Sequence, residues 1–155
     1  MSGPLSALTS PPEVIDAGAS LADAALQMGR RHVGSLVVCE GSAPVGLITD
    51  RDVALAGCLR APGAPPPRVG EVASRPLVTL PEHATLEDLT ALFAARCIRR
   101  VGLVDGRGAL VGVVSADSVV QFLGRHLGEL ARTFEREFEV EREQRDFQPS
   151  TFGPE

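Results

Sequence analysis

Apolar and polar positions along this chain change their period in a fixed order, and the order runs through twice. Each pass opens on a short extended piece, Val14-Ile15 and then Leu77-Val78-Thr79-Leu80. Helical spacing follows, with Leu21, Ala25 and Met28 in the first pass and Leu86, Leu89, Leu92 and Phe93 in the second, so each helix buries one face. Ser20 with Asp23, and Thr85 with Asp88, place a hydroxyl at the helix N-cap and an acid at N3, a variant of the capping box. Two β-branched runs then flank a Gly-containing turn: Leu36-Val37-Val38 with Val45-Gly46-Leu47-Ile48, and Leu103-Val104 with Leu110-Val111-Gly112-Val113-Val114. Each pair predicts a hairpin. Thr49 and Ser115 cap a second helix, through Val53-Ala54-Leu55 and through Val119-Val120-Gln121-Phe122-Leu123. The predicted unit is β-α-β-β-α, present twice, and the fold class is α/β.

The two passes align residue by residue. A shift of 65 lays Val14–Leu21 on Thr79–Leu86 without a gap and matches Ala19 with Ala84, Leu21 with Leu86 and Asp23 with Asp88. One extra residue in the turn, Gly106-Arg107-Gly108-Ala109 against Gly41-Ser42-Ala43, makes the shift 66 and puts Val45–Thr49 on Val111–Ser115. That Gly-x-Gly lies between two apolar runs and reads as a hairpin turn rather than a phosphate loop. Pro62, Pro65, Pro66 and Pro67 exclude a helix or a central strand between the passes. The expected organisation is a first repeat over 5–60, a linker over 61–68, a second repeat over 69–125 and a C-terminal segment over 126–155.

The C-terminal segment has its own pattern. Leu123, Leu127, Leu130, Phe134 and Phe138 recur at steps of three and four among Glu and Arg residues, which predicts an amphipathic helix to about Asp146. Its two Phe residues fit a dimer or partner contact. The tail after Phe147, with Pro149, Gly153 and Pro154, is expected to be disordered.

Composition narrows the function. At 155 residues, with 44% apolar and 23% charged side chains, the chain holds one ordinary domain or two small ones with a packed core. All 15 basic residues are Arg, which excludes a Walker A lysine, a Schiff base and pyridoxal chemistry. A net charge of −5 and the absence of Trp and Tyr argue against nucleic acid as a partner. Met1–Asp16 has no basic residue or apolar run, and no uncharged stretch approaches the ~20 residues that a bilayer needs, so a soluble cytoplasmic protein without a membrane partner is expected. Cys39, Cys58 and Cys97 have no CxxC spacing and are expected to be small core residues in a reducing compartment. His32, His83 and His126 lie far apart, without an acid or cysteine at ligand spacing, so no metal site is expected. No nucleophile is accompanied by a base, which argues against an enzyme.

The repeat, with Gly-h-h-Thr/Ser after its second hairpin strand, resembles the cystathionine-β-synthase (CBS) domain, and two in tandem resemble the paired Bateman module. The resemblance is carried by His32-Val33-Gly34-Ser35-Leu36-Val37-Val38 and Gly46-Leu47-Ile48-Thr49-Asp50-Arg51-Asp52-Val53 in the first repeat. In the second it is carried by Val69-Gly70-Glu71-Val72, Ile98-Arg99-Arg100-Val101 and Val111-Gly112-Val113-Val114-Ser115, and it covers about residues 12 to 125. It implies two CBS repeats packed as a pseudo-symmetric pair, usually dimerising further as a homodimer. It also implies clefts for an adenosine-containing ligand, such as AMP, ADP, ATP or S-adenosylmethionine, and a regulatory signal passed to an unidentified protein partner. Carried over position by position, Thr49 and Asp52 would hold the ribose, Val14, Ile15, Gly34 and Ser35 would lie beside the base, and Arg51, Arg99 and Arg100 would meet phosphates.

The second repeat departs from the pattern at Ser115-Ala116-Asp117-Ser118: Ser118 stands at the acid's position and the acid has moved to Asp117. On a helix that rotates the side chain by ~100°, leaving the second cleft open to weak binding, another ligand or none. The residues themselves leave a second reading of the first repeat open, because Thr49 and Asp52 share the capping spacing of Ser20 and Asp23. The alternative function is a structural or protein-interaction module without nucleotide binding.

Overall fold

The computed structural model describes residues 5–146; the tail expected to be disordered lies outside the described residues. In chain order a 3-10 turn (Ser6–Leu8) leads to β1 (Thr9–Ser10), β2 (Val14–Asp16), α1 (Leu21–Arg31), β3 (Ser35–Glu40), β4 (Ala43–Thr49) and α2 (Asp50–Cys58). Then follow α3 (Val69–Val72), β5 (Thr79–Pro81), α4 (Leu86–Arg96), β6 (Arg100–Val104), β7 (Leu110–Ser115) and α5 (Ala116–Asp146). The β-α-β-β-α order is therefore present twice, as β2-α1-β3-β4-α2 and as β5-α4-β6-β7-α5.

Both hairpins form where the β-branched runs predict them. In one sheet β2 runs parallel to β3 and β3 antiparallel to β4; in the other β5 runs parallel to β6 and β6 antiparallel to β7. Each hairpin breaks register once, between Val38 and Cys39 and between Leu103 and Val104, so the irregularity is itself repeated. The turn Asp105–Ala109 closes on the Asp105 side chain, whose Oδ1 accepts from the Arg107 and Ala109 amides at 2.8 and 2.9 Å, with Gly108 at φ 81°.

The two repeats exchange their opening arms. β1 pairs not with its own repeat but antiparallel with β7, at Thr9↔Val114 and Ser10↔Val113. The equivalent stretch of the second repeat returns to the first: Ser74 pairs with Leu47 of β4, its amide donating to the Leu47 carbonyl at 2.9 Å and its carbonyl accepting from the Leu47 amide at 3.0 Å. Upstream, the Val69 and Gly70 amides donate to the carbonyls of Ala19 and Ala17 at 3.0 and 2.8 Å. Val69 is fully buried in the first repeat's core, with Ile15, Leu21, Met28, Leu36, Val38 and Ile48. Leu5 holds the corresponding place at the head of the other arm and is also fully buried. Removing such a side chain from water contributes about 1.5–3 kcal/mol, which the backbone bonds and the neighbouring buried residues, Leu8 in the first arm among them, supplement against the cost of ordering six residues.

Close approach is what the exchange demands of the sheets. A Cβ on Gly46 would lie 2.6 Å from the Ser74 carbonyl oxygen, and one on Gly112 would collide with the Thr9 side chain. These two glycines are the first residue of Gly-h-h-Thr/Ser in each repeat.

From Asp117 onward α5 forms a separate compact unit. The helix has 31 residues, and Val120, Leu123, Leu127, Leu130, Phe134 and Phe138 are exposed along it. Substituting Gly46 by Ala is expected to lower the unfolding free energy by about 1–3 kcal/mol, the cost of forcing packed backbone apart. Gly57→Ala, in α2 with nothing near its missing Cβ, is expected to be neutral or stabilising by up to about 1 kcal/mol. Urea midpoints measure both, and a Gly46→Ala protein as stable as wild type would contradict the close-packing argument.

Candidate functional site

Three helices in this chain start in the same way. Ser20, Thr49 and Thr85 leave their strands or turns extended and cap α1, α2 and α4 with full capping boxes. At Thr49 the amide and hydroxyl both donate to Asp52 Oδ2, at 2.8 and 2.7 Å, while the Asp52 amide donates back to Thr49 Oγ1 at 3.2 Å. Both bonds to the carboxylate use the same oxygen, which leaves Asp52 Oδ1 uncommitted among the described residues. Asp52 and Thr49 therefore cap the helix first, and any ligand they hold is met by a carboxylate already fixed in orientation.

The capping bonds hold two of the acids below the ordinary carboxylate range. For Asp23 the larger cause is the Ser20 hydroxyl and then the Ser20 amide; for Asp88 it is the Thr85 amide and then its hydroxyl.

Ser35 and Gly34 lie beside this cap. Ser35 pairs with Thr49 across the β3–β4 hairpin, and the Asp50 amide donates to the Gly34 carbonyl at 3.2 Å. The same turn recurs in the second repeat, where Arg100 pairs with Ser115 and the Ala116 amide donates to the Arg99 carbonyl at 2.9 Å. Arg99 and Arg100 thus occupy the positions of Gly34 and Ser35. A Cβ placed on Gly34 would stand 3.0 Å from Arg100 Nη2 and 3.3 Å from Asp50 Oδ2. A guanidinium from the second repeat and a carboxylate from the first therefore converge on a backbone position that carries no side chain.

The other expected residues divide. Val14 is half exposed and its carbonyl accepts from Gln27 Nε2 at 2.9 Å, whereas the Ile15 side chain is buried in the core and its backbone lies in the β2–β3 ladder. Arg51 is exposed, and its amide donates to Asp50 Oδ1 at 2.8 Å. Arg99 is exposed and Arg100 half-buried. Ser115 ends β7, while Asp117 and Ser118 lie in the first turn of α5, within the second unit.

An open groove of 510 Å³ adjoins Gly34, lined by Met28, His32, Val33, Gly34, Asp50 and Val53 among others. Asp50 was not among the residues expected at the site; its signal lay only in its place at the helix start, where carboxylates are common for electrostatic reasons.

His32 and Cys97 occupy equivalent positions and have the same task. Both end a helix in the left-handed conformation, at φ 54° and 53°, with the His32 amide donating to Met28 and the Cys97 amide to Phe93. The expectation that all three cysteines are core residues is corrected: Cys58 and Cys97 are exposed and Cys39 is only partly buried. Cys58 is the last residue of α2 and Cys97 a helix cap, and chain at helix ends faces solvent. Burial, and secondarily Asp16, push the Cys39 thiol up. Among the described residues no group of three His, Cys, Asp or Glu is placed to hold a metal ion, and no helix is long and apolar enough to cross a membrane.

The CBS domain profile matches the chain twice, over residues 5–57 and 69–125. The CBS domain-containing protein YhcV of Bacillus subtilis is 37% identical over 109 residues, which cover 70% of this chain and 72% of the relative. The uncharacterized protein MK0525 of Methanopyrus kandleri is 28% identical over 98 residues, 63% of this chain but only 50% of that relative's length. Among solved structures, the CBS domain pair of protein MJ0100 in complex with 5′-methylthioadenosine and S-adenosyl-L-methionine superposes with a TM-score of 0.68 at 22% identity, covering 77% of this chain and 94% of that one. CBSX2 in complex with AMP superposes with a TM-score of 0.63 at 22% identity, covering 76% and 93%. At such identities the likeness is one of fold.

The capping acids carry a pH signature. A carboxyl whose folded pKa is depressed stabilises the fold fully above its unfolded pKa and loses that contribution as pH falls through the folded value. Asp88→Asn is accordingly expected to lower the urea midpoint at neutral pH, with the gap to wild type closing as pH drops below about 3.9. A gap of constant size down to acid pH would show that the Asp88 charge is not what the cap uses.

Proposed function

Because this chain belongs to the CBS domain family and carries the domain twice, we propose that it is a regulatory module that binds an adenosine-containing ligand and passes a conformational signal to a partner protein. The proposed repeats are residues 5–60 and 69–125, joined by the linker 61–68 and followed by the C-terminal segment 126–155. The observation that carries the reading is the convergence at Gly34 of Asp50 and the Arg100 guanidinium, next to an Asp52 carboxylate fixed by Thr49 with one oxygen uncommitted. A carboxylate oxygen accepts from the vicinal hydroxyls of a ribose, and a guanidinium pairs with phosphate or carboxylate. The ligands of the MJ0100 pair and of CBSX2, all adenosine compounds, support the same class.

In this reading Thr49 and Asp52 hold the ribose, the backbone of Val14, Ile15, Gly34 and Ser35 frames the base, and Arg51 and Arg100 face the charged end of the ligand. AMP, ADP, ATP and S-adenosylmethionine all fit that description. Ser118 in place of an acid, with Asp117 one residue before it and Ser115 at the cap position, favours one ligand per chain rather than two; Arg99 then serves the weaker cleft. The module carries out no reaction of its own. It acts in the cytoplasm as a homodimer, and the ligand works by binding one arrangement of the repeats or subunits more tightly than another.

Calorimetric titration of nucleotide-stripped protein with AMP, ADP, ATP and S-adenosylmethionine is expected to give saturable binding of at least one, near one site per chain. Asp52→Ala should weaken it by the ~1.5–3 kcal/mol of hydrogen bonds to a charged group. Asp23→Ala, which breaks the same capping box at α1, should leave affinity unchanged. Equal affinity in wild type and Asp52→Ala would remove Asp52 from the site. Absence of binding from folded protein would favour a purely structural or protein-interaction module.

A further inference from the structure

The apolar stripe of α5 is spaced as a helix-pairing seam. Val120, Leu123, Leu127, Leu130 and Phe134 stand between 44% and 69% exposed and follow steps of three, four, three and four, the 3.5-residue period that winds two helices around each other. The positions that flank such a seam hold Gly124, His126, Ala131 and Thr133, with neither acid nor arginine among them. The charged residues Arg125, Glu129, Arg132 and Glu135 fall on the outer face.

We propose that the part of this stripe from Leu123 to Phe134 pairs with the same segment of a second copy of the chain, antiparallel, and forms a seam of the homodimer; the proposal rests on the homodimeric reading above. The spacing on this helix admits that occupant, and its charge selects the direction. First, the gaps from Leu123 through Leu127 and Leu130 to Phe134 are four, three and four, which read the same from either end. A two-fold axis between Leu127 and Leu130 therefore sets Leu127 against the partner subunit's Leu130, and Phe134 against the partner subunit's Leu123. The self-complementarity required of an isologous contact is built into the spacing. Second, charge is unevenly distributed: between Phe134 and Glu143 there are five Glu against two Arg. Parallel pairing lays these acidic ends side by side, whereas antiparallel pairing parts them and opposes the two helix dipoles.

The test is the mass of the full chain in solution, by sedimentation or light scattering, with helicity and urea midpoint as checks on folding. Wild type is expected at twice the 16.3 kDa chain mass. Leu127→Glu buries an unpaired charge in the seam and should raise the dissociation constant by about 100-fold or more, while Arg132→Glu on the outer face leaves the dimer intact. Phe134→Gln, an uncharged change further along the stripe, should weaken the dimer in the same direction. The double variant Leu127→Glu/Leu130→Arg should recover the dimer, because antiparallel pairing sets each new carboxylate against the partner's new guanidinium and parallel pairing does not. A monomeric wild type overturns both this proposal and the homodimeric reading. A dimer that survives Leu127→Glu and Phe134→Gln overturns the seam alone, and a double variant that stays monomeric overturns the antiparallel arrangement.

Discussion

Backbone meets backbone at Gly46, and an arm of the other repeat crosses at Gly112, at distances no side chain tolerates; the remaining architecture of the two repeats depends on these contacts. β4 and β7 are each the last strand of a hairpin, and such a strand presents unpaired amides and carbonyls. Each is met by a piece of the opposite repeat, Ser74 on β4 and Thr9–Ser10 on β7. The arms are too short to hold as independent strands. Each is anchored by one fully buried residue, Val69 or Leu5, so apolar burial provides the stabilisation and the glycines the space. An arm that belongs to one repeat in sequence and to the other in packing ties the two into a single unit.

The candidate site grows from the same strands. β4 leads from Gly46, where the arm docks, to Thr49, where the helix cap begins, in three residues. A strand shifted by the arm would carry the cap and its carboxylate with it. The cap also explains how one residue serves two purposes: Asp52 uses a single oxygen to satisfy the helix start, and the fixed geometry that this confers is what ligand recognition requires. The box at Ser20 also has an arginine beside it, Arg68, whose charge acts on Asp23, and the box at Thr85 borders a groove lined by Asp88; what sets Thr49 apart is that Gly34, beside its cap, is approached by Arg100 of the second repeat.

Much of this was legible in the residues. The change of hydrophobic period located the strands and helices, and the hydroxyl-acid spacing located all three capping boxes. The repeat made each half a check on the other. What was not legible was long-range. Leu5 with Leu8, and Val69 with Val72, have the spacing of a short helical turn, but nothing in a run of four residues says which sheet it will cover. The convergence of Arg100 on Gly34 joins positions 66 apart in the chain and follows from the packing of one repeat on the other. The cysteines misled for a simpler reason: their apolar neighbours do face the core, but Cys58 and Cys97 lie where a helix ends. Likewise His32 and Cys97 adopt a left-handed conformation that residue type alone would assign to glycine.

If the arms unite the repeats, they should not open before the sheets they complete. Native-state hydrogen exchange reads this at single amides, by comparing Ser74 and Leu47, which bond only across the exchanged contact, with amides of the β3–β4 ladder. The predicted result is a common opening free energy for Ser74, Leu47 and the central β3 amides, all exchanging through global unfolding. Exchange of Ser74 and Leu47 through a local opening several kcal/mol cheaper than the ladder would mean that the arms rest on finished domains, and would contradict the account.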